Sequence, residues 1–109
     1  MSSDLHFKTA SELAAMIRAK QVGCVELLEH FLKRCEAHNK ALNAIVVFRR
    51  DEALARARAA DEALAKGESW GPLHGVPMTI KESYDWEGTP TTWGVPHLKD
   101  NVAKTNSVV

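Results

Sequence analysis

Apolar residues recur at three- and four-residue spacing in two stretches near the start of the chain. The first opens at Thr9-Ala-Ser-Glu12, where a threonine can cap while the glutamate three residues on reaches back to it. Ala10, Leu13, Met16 and Ile17 share one face, and Lys20 closes the last turn, so the pattern predicts a helix over residues 9–20. In the second stretch Leu27, Leu28, Phe31, Leu32 and Cys35 predict a helix over 24–38. Gly23 is its expected cap, with Glu26 three residues on, and Asn39 its expected left-handed stop. A third helix, 51–66, is read from propensity rather than from a stripe. Asp51 is its expected cap, Ala and Leu fill most of its interior, Arg58 and Glu62 pair at helical spacing, and Gly67 ends it. Its alanines offer little apolar bulk, which predicts a surface helix with Leu54 and Leu64 turned inward.

The pattern then changes. Leu42-Asn-Ala-Ile-Val-Val-Phe48 is short, rich in β-branched residues and bounded by polar clusters, and predicts a strand over 42–48. Gly71-Pro-Leu-His-Gly-Val-Pro77 is turn material, and the apolar run Met78-Thr-Ile80 predicts a buried strand over 76–81. Residues 85–106 contain Gly88, Pro90, Gly94 and Pro96 and read as irregular. A structureless stretch of that length is uncommon unless it is functional or covers something else. The closing pair, Val108-Val109, follows two capping-type residues, Asn106 and Ser107, so the sequence is expected to be part of a longer chain.

Its 109 residues suit one small domain. Lys plus Arg and Asp plus Glu number 14 each, and no basic patch stands out, so nucleic acid and anionic membranes are not expected partners. No basic segment leads into an apolar run, and no stretch approaches the roughly 20 apolar residues of a membrane span, which points to a cytoplasmic protein. Cys24 and Cys35, within one predicted helix, would lie about 16 Å apart along its axis. That excludes a disulfide between them and predicts two reduced, packed cysteines. His30 and His38 lack the four-residue spacing that lets two helical histidines share a metal, and no metal or cofactor is expected.

The chemistry concentrates in Gly71-Pro-Leu-His-Gly-Val-Pro-Met-Thr-Ile-Lys-Glu82, which ends a predicted strand on a lysine. A buried Lys81 loses the hydration its charge needs, and the neutral amine becomes available as a base. A Lys81 that reaches the surface would instead pair with Glu82 or Asp85. The residues alone leave both readings open. His74 is expected to hydrogen-bond backbone within its turn. Trp86 and Trp93 flank the Gly88-Thr-Pro-Thr-Thr-Trp-Gly94 loop and are expected to pin it to the core, with a wall for an acyl pocket as the alternative.

Gly-Pro-Leu-His-Gly-Val-Pro, a strand ending in lysine, and then Gly-x-Pro-Thr-Thr-x-Gly together resemble the opening of the amidase-signature family. The preceding order of elements is similar too, so the resemblance covers Thr9 to Val109 and is most specific over Gly71–Glu82. It implies an α/β fold, a mixed sheet wrapped by helices. Residues 1–109 would be the incomplete amino-terminal part of a single such domain, its leading helices plus one or two strands. It implies that Lys81 is the base of a Ser–cis-Ser–Lys triad acting on a small-molecule amide without metal or cofactor. Neutral Lys81 takes a proton from a bridging serine, which deprotonates the nucleophilic serine, and backbone amides stabilise the oxyanion.

Two departures follow. The family often has Asp where this chain has Glu82, followed by Ser83. Both family serines lie downstream of Val109, so the 109 residues alone are expected to be inert. Ser69, Ser83 and Ser107 lack a glycine-rich turn, and no Ser83–Lys81 dyad is expected. A rival within the family is the glutamine amidotransferase subunit serving transfer-RNA-linked amidation. There the stretch after the Thr-Thr pair typically runs through small or polar residues, whereas here it is Trp93-Gly-Val-Pro-His-Leu98, which favours a stand-alone amidase. A rival of another class, a non-catalytic helical module using the Leu27/Phe31/Cys35 stripe, leaves the Gly71–Glu82 block unexplained. An unpaired strand edge at 76–81 predicts either self-association, with a homo-oligomer one form of it, or loose packing beyond Gly67.

Overall fold

Thr9 and Glu12 close the capping box reciprocally: Glu12 N–H donates to the threonine hydroxyl at 3.2 Å, and Thr9 N–H donates to the glutamate carboxylate at 2.7 Å. Helix α1 follows, Ala10–Arg18, in the computed structural model, which describes residues 4–108. Lys20 then enters the left-handed region (φ 57°), and Gln21 N–H bonds back to Met16 O at 2.9 Å, which ends the helix. Two compact units make up the chain, Met1–Pro77 and Met78–Val109.

In the first unit, α2 is Cys24–Leu42 and α3 is Arg50–Ala65. Gly23 has no side chain with which to cap α2, and Asp61 on α3 takes over that role. Its carboxylate accepts from Cys24 N–H at 2.7 Å and Val25 N–H at 3.1 Å. A negative charge there also suits the helix dipole. Leu5, Leu13, Ile17, Val22, Cys24, Leu27, Leu28 and Leu32 form the core with Ala57 and Ala60. Fully burying each leucine or isoleucine stabilises the fold by about 1.5–3 kcal/mol.

Several expectations are corrected here. Leu54 and Leu64 turn inward and pack half-buried against the core, but the fully buried face of α3 is Ala57, Ala60 and Ala63. Small side chains let α3 lie close to α2, so low bulk marks the contact face rather than a solvent face. Asp51 is not the cap of α3; Arg49 holds that position, and Asp51 and Glu52 lie in the first turn. Among the described residues the ion pairs are Arg49–Glu52 and Arg50–Glu36 rather than Arg58–Glu62.

The strand expected over 42–48 does not form. Leu42 ends α2, and the left-handed residue is Asn43 (φ 51°), not Asn39. Asn39 turns its side chain along the segment that follows: its amide donates to Ile45 O at 2.9 Å and its oxygen accepts from Ile45 N–H at 2.8 Å. Those bonds satisfy the backbone groups that a neighbouring strand would have paired. The strand expected over 76–81 is also absent, and Met78 and Ile80 are exposed rather than buried. A strand requires a partner ladder, and no β-strand is present among the described residues; their one isolated bridge is Pro90–Val102, antiparallel.

The second unit is built around that bridge. Thr91 N–H donates to Asn101 O at 3.0 Å, and Ala103 N–H donates to Thr89 O at 2.9 Å. The bridge does not grow into a ladder because the next donors are taken locally: Thr89 N–H donates to Trp86 O and Asn101 N–H to Leu98 O, both at 2.9 Å. Side chains do the remaining tying: Asn106 accepts from Glu87 N–H, and Ser107 accepts from Asp85 N–H, both at 2.8 Å. Thr89, Thr91 and Ala103 are buried at its centre.

Candidate active site

The Gly71–Glu82 block is divided between the two units. Its first half is anchored to α3 and α2. Gly71 and Leu73 carbonyls accept from His74 and Val76 amides, giving two successive turns. His74 is buried; its Nδ1 accepts from Trp70 N–H at 3.0 Å, so the neutral ring carries its proton on Nε2 and donates to Ala60 O at 2.8 Å. Arg56 stacks over Trp70, 3.9 Å from the ring centroid. Gly75 passes directly over Cys24 at the start of α2. Burial pushes the Cys24 thiol up to about 12, and the neighbouring Asp61 carboxylate adds to the effect, so this cysteine stays protonated and inert near neutral pH.

Lys81 belongs to the second unit. It is exposed, and makes no hydrogen bond or ion pair with a described residue through its amine. Its carbonyl accepts from Tyr84 N–H at 3.0 Å, closing a turn that begins at the lysine. Glu82, considered from sequence as an ion partner for Lys81, faces away to the loop: its carboxylate accepts from the amides of Thr92 and Trp93, the latter at 3.0 Å. Its carbonyl accepts from the Thr91 hydroxyl at 3.2 Å. The Thr92 amide holds the Glu82 carboxyl below the usual carboxylate range; partial burial opposes this, and Trp93 reinforces it.

Two serines of the chain serve local backbone. Ser69 bonds with Gly71, and Ser107 with Asp85. Trp93 is 69% exposed rather than packed into a core. Among them, no group of three or more His, Cys, Asp or Glu residues is placed to hold a metal. His30 meets His6 instead, ring nitrogens 3.0 Å apart. Burial holds the His6 ring below its ordinary value, and the Arg34 charge pushes the same way. No sequence spacing signalled that pair or the Glu82 clamp, because both depend on how distant segments fold back.

No described helix is long and apolar enough to cross a membrane. The family model described as Amidase matches residues 26–109. The chain is 48% identical over 101 residues to an indoleacetamide hydrolase of Bradyrhizobium diazoefficiens, covering 93% of this chain and 19% of that protein. It is 39% identical over 106 residues to an acylamidase of Rhodococcus erythropolis, covering 97% and 22% respectively. With a glutamyl-tRNA(Gln) amidotransferase subunit of Thioalkalivibrio sulfidiphilus it shares 43% identity over 105 residues, 96% of this chain and 22% of that protein. The chain thus spans about a fifth of the length of these curated relatives. The Lys81 block lies inside the matched region, and the chain belongs to the amidase family, the amidase-signature proteins.

Proposed function

We propose that the protein containing this chain hydrolyses carboxylic amides, with Lys81 as the remote base of a Ser–cis-Ser–Lys triad whose serines lie beyond residue 109. The observation that carries the reading is Lys81 itself. It follows the Gly71–Ile80 segment, inside the region the family model matches, where the resemblance puts the family's base.

The finer fold belongs to the same proposal. Val46, Phe48, Met78 and Ile80 are exposed apolar residues outside the helices. In the complete protein these segments enter a mixed sheet wrapped by helices, and residues 1–109 are the incomplete amino-terminal part of that single domain. Apolar edges of this kind left uncovered favour self-association, the homo-oligomer expected from sequence. The cytoplasmic setting expected from sequence is kept, with no nucleic acid or membrane as partner.

The substrate is a small-molecule amide. Names of two relatives, an indoleacetamide hydrolase and an acylamidase, favour this over the amidotransferase role. The relative from the glutamyl-tRNA(Gln) amidotransferase supports that role as a second reading. The complete reading frame, expressed and purified, should release ammonia from indoleacetamide. Release from glutamine alone would favour the amidotransferase reading, and no hydrolysis of either would sink both.

A further inference from the structure

Glu82 follows the candidate base directly, yet its carboxylate is committed to the loop at 91–94. Oε1 accepts from Thr92 N–H, Oε2 accepts from Trp93 N–H at 3.0 Å, and the carbonyl of the same residue accepts from the Thr91 hydroxyl at 3.2 Å. Three consecutive loop residues are therefore tied to one side chain and its backbone.

The loop it grips is a turn, closed by Val95 N–H donating to Thr92 O at 2.9 Å. Trp93 has φ 53° and Gly94 φ 70°, two successive left-handed residues, the first with a bulky side chain. A left-handed residue other than glycine carries strain, which the turn's own bond and the Glu82 contacts together offset. On the other side, Tyr84 N–H donates to Lys81 O at 3.0 Å, which places Glu82 at the second position of a turn started by the base. Consecutive Cα atoms are about 3.8 Å apart, so whatever fixes Glu82 fixes the backbone from which the Lys81 side chain springs. In the ionised form, which its amide contacts favour, the carboxylate can accept from both donors at once.

We propose that Glu82 is a positioning residue, holding the Lys81 backbone and the Thr91–Gly94 loop in one fixed register. It acts through Lys81 and rests on the reading of Lys81 as the base.

The test uses the full-length protein and whichever of indoleacetamide or glutamine it hydrolyses, with ammonia release giving kcat and KM and thermal unfolding run beside it. Glu82→Gln presents an NH2 group to one loop amide and so loses one of the two bonds. It should lower kcat by about 10–100-fold with KM unchanged within about twofold, since misplacing a reacting group costs rate rather than binding. Glu82→Asp keeps the charge on a shorter arm and should recover much of that loss. A Glu82→Gln protein that folds and turns over at the wild-type rate overturns the proposal, as does a change confined to KM or a kcat loss matching only the folded fraction lost. If Glu82→Gln does not fold, Glu82→Ala is read instead, per folded molecule: a kcat loss of about 10-fold or more at unchanged KM supports positioning, and wild-type kcat overturns it. Lys81→Ala, measured in parallel, separates the two levels. Wild-type turnover by Lys81→Ala sinks the base and the positioning role together, whereas a dead Lys81→Ala beside a fully active Glu82→Gln sinks only the second.

Discussion

Gly75 has the least room for a side chain of any glycine in the chain. Its φ is 76°, and a Cβ there would lie 2.3 Å from Cys24 Sγ and 3.3 Å from Ile17 Cδ1. Cys24 and Ile17 are both 0% exposed, so neither can swing aside into solvent. Gly75→Ala should cost about 2–5 kcal/mol, combining a left-handed penalty of about 1–2 kcal/mol with overpacking of about 1–3 kcal/mol. Urea unfolding would measure it. Adding Cys24→Ala should recover the overpacking share but not the backbone share, giving a coupling of about 1 kcal/mol or more; strictly additive losses would contradict the contact. The sequence marks Gly75 as turn material, since glycine between His74 and Val76 breaks any periodicity. The identity of the atom it must avoid is invisible there, because Cys24 belongs to a helix far back in the chain. His74 is similar: a backbone hydrogen bond is foreseeable for a buried imidazole, but its acceptor, Ala60 O on α3, is not.

Helix starts were legible and helix contacts were not. The Thr9–Glu12 box is local, and it forms as its spacing requires. The start of α2 is completed from outside by Asp61, and no pattern near Gly23 announces that. Burial opposes ionisation at Asp61, but the amides of Cys24 and Val25 outweigh it and hold the carboxyl below its ordinary range. A folded-state value below the unfolded one means the stabilisation is fully present above the ordinary carboxylate value of about 3.9. It is lost as pH falls further, through the folded value. Asp61→Asn should therefore lower stability by about 1–2 kcal/mol near neutral pH. Its melting temperature should also fall less steeply than the wild type's below about pH 4. Equal acid slopes in the two proteins would show that Asp61 does not carry this linkage. The strands failed for a related reason. Leu42–Phe48 has strand-like composition, but composition supplies no partner, and Asn39 satisfies Ile45 instead.

Over the whole molecule, the sequence exposed the candidate base only because Gly71–Glu82 resembles a known block; burial and spacing alone left Lys81 as either a base or a surface ion-pair residue. Folding shows a third arrangement, an exposed amine with no ion pair among the described residues and Glu82 occupied by the 91–94 loop. Loop conformation is the part least readable from residues, since the Glu82 clamp requires Thr92 and Trp93 amides to converge on one carboxylate. Membership of the amidase family fixes the chemistry to be tested, and the complete protein is where to test it. The decisive measurement is kcat for ammonia release by the full-length protein carrying Lys81→Arg. Arginine keeps the charge and much of the reach of lysine but stays protonated, so it cannot accept the serine's proton. If Lys81 is the base, kcat falls by about 10²–10⁴-fold or more while the melting temperature is unchanged. Turnover near the wild-type rate by that variant would contradict the assignment of Lys81 as the base.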